Sequence, residues 1–514
     1  MKSRNVTISV LVLFFAGISA AVFANSFADT YGFSAEGMSR GNAMTAVVND
    51  WSSVYYNVAG LGKTQSLSGE TTTGGGEMTL KLRKTEGEPE TKKEIYPSQF
   101  ALGFLYTMPQ LKLNIQRYVQ NATTGDYTPV KTKAANIGNY GYITIGGALD
   151  LNTIVKMPDF VSSVRLGLGL GVNHDGSLTK VNDIDPRTHD FLRYGKEVQR
   201  AMILVGLGIG ILKDSLGIGI GANISFHGKA KTFMETDLTA NPQVPIAQSQ
   251  MDLSAAPGAI AGVYFSPGKI WSAVEGLDFG ASYRMSTKLK IDPFDAAASI
   301  LGGIINMNLM LAVFDYWSPH IVTAGIAYSR WGVTLSLDGE YQMWSKYQVS
   351  KVLEQHYFGL PKMTDIIVAR FGVKYDTPVS WLSIMAGYSY VPSILASVKS
   401  PFHKSNSSAN TLNMRIAPLG NITTIGMYNW MDNNKHVASA GIKFTVPKLS
   451  SKIGGQIIIC LGYQFQYLEP VSVQKPDLNY KAYPGSKTFD YLLNPGYSYG
   501  GMNHTVAIEV GMRL

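Results

Sequence analysis

The chain has 514 residues, a formal net charge of +8, 53 glycines, 28 tyrosines and a single cysteine, and only 16% of its residues are charged. Soluble proteins average about 25% charged residues and about 7% glycine, so this composition points to strands, turns and a membrane. One thiol, Cys460, excludes a disulfide framework, and so diffuse a positive balance gives no footprint for nucleic acid.

Met1 to Ala24 carries Lys2 and Arg4, an apolar run from Ile8 onward and a Val22-Phe23-Ala24 site of the kind that signal peptidase cuts. It reads as a secretory signal peptide, cleaved after Ala24 with Ala28 as second choice. An uncleaved anchor is the rival, but the apolar core is short for one. Loss of Lys2 and Arg4 leaves a net charge of about +6. No linker divides the rest after the signal at residues 1–24, so one large architecture is expected.

A chain crossing a bilayer must satisfy every backbone polar group internally, which only helices and closed barrels do. Most of this chain shows segments of about ten residues with alternating polarity, the pattern of a transmembrane antiparallel β-barrel. From Val333, the outward set is Val333, Leu335, Leu337, Gly339, Tyr341 and Met343, opposite Thr334, Ser336, Asp338, Glu340, Gln342 and Trp344. Lanes of the same kind run through Ile457 to Tyr467 and through Ala281, Tyr283, Met285, Leu289 and Ile291, which puts Arg284, Ser286, Lys288 and Lys290 inward. The last ten residues repeat it, with Val506, Ile508, Val510, Met512 and Leu514 outward. A soluble β-sandwich also alternates, but the signal, the tyrosines near strand ends and the terminal strand favour the membrane. About fifteen segments qualify as strands, and bacterial barrels are normally even-numbered, so a segment near 68–82 or 98–107 is expected to be loop or strand extension. Residues 108–138 and 395–435 read as long polar loops.

Gly206-Leu207-Gly208-Ile209-Gly210 and Gly217-Ile218-Gly219-Ile220-Gly221 superficially resemble a dinucleotide fingerprint, which needs a following helix and an acidic residue about 20 positions on. The strict two-residue spacing instead puts these glycines inside a barrel, on a hairpin turning at Lys213-Asp214, where missing side chains leave room. The eight histidines are scattered, and neither a metal-ligand cluster nor a nucleophile elbow occurs. No enzyme activity, metal or cofactor is therefore expected. The Asn406 and Asn421 sequons read as chance matches in polar loops.

Residues Asp29 to Lys63 read DTYGFSAEGMSRGNAMTAVVNDWSSVYYNVAGLGK. This resembles the start of the long-chain fatty acid outer-membrane transporters, the FadL-like family with its aromatic-hydrocarbon branch. In that family a Gly-x-x-Arg-(Gly/Ala) step, an acidic-plus-small stretch and an Asn-Pro-Ala-Gly motif form a plug inside the barrel. The matching positions are Gly37, Arg40, Gly41, Asp50, Ser53, Tyr56, Asn57, Ala59 and Gly60, and Val58 stands where the family has proline. Further likeness lies in Trp317-Ser318-Pro319, in Asp338 to Ser345, in Arg370 to Tyr375 followed by Ala386 to Tyr390, and in Asn503-His504. The resemblance implies a plug over residues 25–65, a barrel of about 14 strands over residues 66–514 and passive import of hydrophobic molecules. These are caught outside, passed to a site within the barrel and released sideways into the membrane.

Within that frame, residues 296–314 are an apolar stretch that Asp292 and Pro293 are placed to start as a helix. A spanning helix is the rival reading, weakened by Asn306, Asn308 and Gly302-Gly303. The stretch is expected to be an apolar capture loop, with Phe294, Ile300, Leu301, Ile304, Met307, Met310, Leu311 and Phe314 as ligand contacts. For a ligand carboxylate, the inward basic residues are Arg284, Lys288, Lys290, Arg370 and Lys374. Pairing with Asp338, Glu340 or Asp50 is the plainer role for them, and Arg284 or Arg370 is the candidate to face ligand. The expected partners are a fatty acid or hydrocarbon, outer-membrane lipid with lipopolysaccharide, and the barrel-assembly machinery, the chain acting as a monomer. A surface adhesin or antigen with little transport is the alternative class.

Overall fold

The computed structural model describes residues 27–63, 98–120, 127–133, 137–152, 157–158, 160–174, 190–195, 201–236, 246–289, 291–300, 305–311, 316–347, 363–395, 412–416, 420–424, 430–447, 456–474 and 496–513. The signal peptide expected at residues 1–24, the segment near 68–82 and the terminal Leu514 lie outside them. Among the described residues, fourteen strands form a closed antiparallel ring. They are β1 (Gln99–Gln120), β2 (Tyr140–Asp150), β3 (Val161–Asn173), β4 (Met202–Ile211), β5 (Leu216–Thr236), β6 (Ile246–Phe265) and β7 (Leu277–Arg284), followed by β8 (Ile321–Arg330), β9 (Val333–Gln342), β10 (Ile366–Asp376), β11 (Leu382–Val391), β12 (Lys435–Pro447), β13 (Gln456–Gln474) and β14 (Gly496–Arg513). Each pairs with its neighbours in sequence, and β14 closes the ring on β1 from Gln99↔Arg513 to Gln116↔Gly496. Closure leaves no edge, as lipid demands.

Connections at one end are tight, as at Leu212–Ser215 and Trp331-Gly332, while those at the other are long, as at 174–201, 343–365 and 392–434. The outward face between them is apolar, with Leu102, Leu168, Ile220, Leu337, Ile367, Ile384, Ile508 and Val510 all exposed. Trp271, Trp331 and Trp381 are exposed at the turn end. Near the loop end Tyr388 and Tyr463 bond the rings of His436 and His504 at 2.6 and 2.7 Å. An apolar band between two aromatic girdles is the exterior of a membrane barrel. The lanes expected from Val333, Ile457 and Val506 hold, with Ser336, Asp338, Glu340, Gln464 and Glu509 buried inside.

Three expectations are corrected. The stretch from 292 to 316 holds no described helix: Ile291–Ile300 and Ile305–Leu311 are antiparallel strands, with Phe294↔Leu311, Ala298↔Met307 and Ile300↔Ile305 opposed, and Ile291–Ile300 extends along β5. Asp292 is thus a strand residue and caps nothing. An apolar run of this length fits either period, and the antiparallel pairing of Ile291–Ile300 with Ile305–Leu311 leaves no room for a long helix. Among the described residues no helix is long and apolar enough to cross a membrane. Second, residues 108–120 and 127–133 are not loop. β1 runs on past the apolar band to Gln120 and then pairs with Tyr127–Lys133; its polarity there reflects a strand leaving lipid. Third, the lane from Ala281 stops at Arg284, because Ser286 turns to His320 and Thr287–Leu289 pairs with Tyr316–Ser318 instead. Residues 98–107 are strand, and the surplus segments, Tyr127–Lys133 and the Ile291–Leu311 hairpin, lie off the ring.

Candidate functional site: an inner segment locked to the barrel wall

Residues Phe27 to Lys63 fold as three short helices, α1 (Phe27–Tyr31), α2 (Ala35–Ser39) and α3 (Ser53–Tyr56), and a 3-10 turn over Val58–Gly62. None is long enough to persist alone; caps and wall contacts fix them. Ser34 Oγ accepts from Gly37 N at 3.1 Å to start α2. Asn57 Oδ1 accepts from Ala59 N at 3.2 Å, while its Nδ2 donates to Thr45 O and to Val263 O on β6 at 2.8 and 3.0 Å. Val58 opens the turn, a first helical position where proline fits equally well. Departure from the family pattern there leaves the turn intact.

The motif residues each meet a specific demand. A Cβ on Gly37 would strike the Tyr56 hydroxyl at 2.1 Å, and one on Gly60 the Val48 carbonyl at 2.3 Å. Gly41 has φ +61° and lies where a Cβ would sit 2.8 Å from Tyr388 N on β11, so it is needed for both its conformation and its closeness to the wall. Asp50 Oδ1 accepts from Ser52 N and Oγ at 2.9 and 2.6 Å. Arg40 is buried, 3.8 Å from Glu36, and donates to Ser336 Oγ on β9 at 3.3 Å.

The wall is shaped to receive this segment. A Cβ at Gly146 would strike Trp51, at Gly167 Val54, at Gly208 Leu61, at Gly219 the Ala59 nitrogen, at Gly280 the Thr45 carbonyl and at Gly387 the Arg40 carbonyl carbon, each within 2.6 Å. The glycine repeats face inward as the two-residue spacing predicts, Gly206, Gly208, Gly210 and Gly219 form a bed for the inner segment, and the turn at Lys213-Asp214 is present with both residues at positive φ. Phe33, Leu61 and Val58 are fully buried, each contributing about 1.5–3 kcal/mol.

Polar contacts complete the attachment. Arg165 on β3 donates to the carbonyls of Leu61, Lys63 and Asn49. Lys63 Nζ donates to Ala46 O at 2.6 Å and lies 3.2 Å from Asp278. Lys443 on β12 pairs with Glu36 at 2.6 Å. Burial opposes the Glu36 charge, but Lys443, Lys374 and Arg40 outweigh it and hold its carboxyl well below the usual carboxylate range. Tyr31 bonds Tyr140 at 2.6 Å and receives Asn503 Nδ2 at 2.8 Å; burial pushes its hydroxyl up to about 12.

Of the inward basic residues, Arg284 pairs with Asp29 at 3.0 Å and stacks on Tyr55, while Arg370 binds Glu340 through both nitrogens at 2.9 Å. Lys374 pairs with Asp376 at 2.9 Å. The carboxylate taken up from the inner segment is Asp29 rather than Asp50, and Asp338 accepts from Thr45 N at 2.8 Å instead of pairing with a cation. The side chain of Lys288 and all of Lys290 lie outside the described residues. Arg284 and Arg370 line one cavity with Asp29, Asn42, Tyr55 and Glu340, about 30 Å³ in volume, space for a water molecule or two. Of the expected apolar contacts, Leu301, Ile304 and Phe314 lie outside the described residues. Phe294, Ile300, Met307, Met310 and Leu311 are placed only by strand register, in which Met310 opposes Asp295.

Sequence reasoning missed a second closure at the loop end. Asp190-Phe191 runs parallel to Trp430-Met431, Arg193 grips Asp432 at 2.6 and 2.7 Å, and Tyr194 donates to Gln466 at 2.9 Å. The Tyr194 ring also meets Tyr31 at 6.5 Å, so this strap rests on the inner segment. Only the burial of a charged residue betrays it, and a sequence does not display burial.

No protein-family model matches this chain, and no curated protein matches it. Among solved structures it is similar to a Pseudomonas aeruginosa FadL homologue, at 12% identity and TM-score 0.45, with 97% of this chain and 98% of that chain covered. It is also similar to the P. putida toluene transporter TodX, at 12% and 0.45 with 94% and 99% covered. The Ralstonia pickettii toluene transporter TbuX follows at 11% and 0.41, with 93% and 98% covered.

Proposed function

We propose that this chain is a passive transporter for hydrophobic compounds, long-chain fatty acids or related hydrocarbons, in the outer membrane of a Gram-negative bacterium. The observation that carries the reading is the inner segment. It is locked to β3, β6, β9, β11, β12 and β14, and the cavity left beside Arg284 and Arg370 is about 30 Å³. Free diffusion of water-soluble solutes through such a lumen is disfavoured, and the segment acts as a plug over about residues 25–65. The Asp29–Lys63 resemblance supports the same reading.

The physical logic is that a greasy solute needs apolar shelter across the polar saccharide layer, then gains about 0.8 kcal/mol per CH₂ on entering lipid. Transfer is downhill and needs no external energy. In this reading the loop end faces outward, as long loops do in such barrels, the substrate moves inward toward the plug, and it leaves sideways through the wall. Arg284 or Arg370 receives the head group of an acidic substrate. Uptake of long-chain fatty acid and of toluene by cells with and without the protein tests this. Equal uptake of both in the two strains, with no binding by the refolded barrel, would overturn it.

A further inference from the structure

Inward positions of a water-facing lumen are normally polar, and on β9 and β10 they change character along the strand. Going toward the loop end, β10 presents Arg370, Val368 and Ile366, and the β9 lane presents Asp338, Glu340, Gln342 and Trp344. The apolar ends of these lanes, with Trp317, Met363 and Ile394, form a buried cluster whose remaining member is Leu192 of the strap. Trp317 and Trp344 meet edge to face at 5.6 Å. Leu192 is fully buried there, while the next strap residues, Arg193 and Tyr194, go to polar partners. From the niche a polar ladder runs down: Trp344 Nε1 donates to Gln342 at 2.7 Å, Gln342 donates to Glu340 at 2.5 Å, and Glu340 holds Arg370.

We infer that the niche of Trp317, Trp344, Met363, Ile366 and Ile394 is a binding site for a hydrocarbon chain, and that Leu192 occupies it in the closed form in place of that chain. The inference rests on the transport reading and adds a place and a direction to it. The lanes match an amphiphile lying with its chain at the loop end and its carboxylate deeper, where it competes with Glu340 for Arg370. Entry of the chain displaces Leu192 and unseats Arg193 from Asp432. Because the strap and Tyr31 touch, displacement also frees one side of the inner segment.

The test uses the full chain refolded in detergent and stearic acid brominated at mid-chain, whose bromines quench nearby tryptophan. Quenching is expected to depend on Trp317 and Trp344, falling to background in the double Trp→Phe variant. Leu192→Ala is expected to tighten binding about tenfold by removing the internal competitor. A second variant guards against misfolding: with Phe191→Cys and Met431→Cys at register-paired positions, a thiol cross-link is expected to abolish quenching and reductant to restore it in the same sample. If radiolabelled stearate binds equally with the strap cross-linked or free, or quenching ignores Trp317 and Trp344, the inference fails and the transport reading survives. If no form of the protein binds stearate, both fail.

Discussion

Glu509 on the last strand accepts a hydrogen bond from the Trp51 indole at 3.2 Å across 458 residues of sequence, and its other oxygen accepts from Ala35 N at 2.9 Å. One carboxylate thus fastens two parts of the inner segment to the strand that closes the ring.

Replacing Glu509 by alanine strands both donors, at about 1–3 kcal/mol for each. The ring keeps its β1–β14 ladder, so the barrel is expected to stay folded, migrating as a compact species in unheated gels, while ion conductance in planar bilayers rises over wild type. Conductance equal to wild type would show that Glu509 does not hold the segment.

Glycine substitutions separate bed from bystander. A Cβ at Gly219 would lie 2.5 Å from the Ala59 backbone nitrogen, whereas one at Gly339 meets nothing within 4 Å. Gly219→Val is expected to destabilise the refolded barrel by several kcal/mol, in the range of strong overpacking, and Gly339→Val to change its melting temperature little. Similar melting shifts for both would contradict the account of the glycine repeats.

Arg165 holds three carbonyls near the end of the inner segment. In Arg165→Gln, trypsin is expected to cut after Lys63, which is buried in the native protein, several-fold faster. The readout is the cleavage rate at that bond in intact barrel, and an unchanged rate refutes the role.

Acid should loosen the segment only at low pH. Because the Glu36 carboxyl is held below its ordinary value of 4.5, its contribution is fully present above that value and is lost as the pH falls through the lower folded one. Cutting of the segment by pepsin is expected to stay slow down to about pH 4 and to rise below it. Glu36→Gln is expected to be loose at neutral pH, with little further change in acid.

Arg284 and Arg370 bear on substrate charge. Glu340 loses its main partner if Arg370 is removed and Asp29 loses its ion pair if Arg284 is, so the informative protein combines Arg284→Met, Arg370→Met, Glu340→Gln and Asp29→Asn. Fatty acid uptake should fall about tenfold or more, the worth of one charge-assisted contact, while uptake of an uncharged hydrocarbon holds. Unchanged fatty acid uptake would remove both arginines from the ligand path.

Much of this molecule is written locally. Two-residue alternation placed the lanes of Val333, Ile457 and Val506, the hairpin at Lys213-Asp214 and the inward glycines, because strand geometry repeats every two residues and needs no distant partner to be seen. The inner segment was marked differently, by the likeness of the motif around Arg40 and Asn57 to a known family. What the tertiary structure decided was pairing and place: that Arg284 meets Asp29, that Glu509 reaches Trp51, that the apolar run after Asp292 becomes a hairpin beside β5, and that Leu192 fills a tryptophan niche. Those outcomes depend on which surfaces a closed ring brings face to face, and closure is a property of the whole chain that no window of neighbouring residues contains.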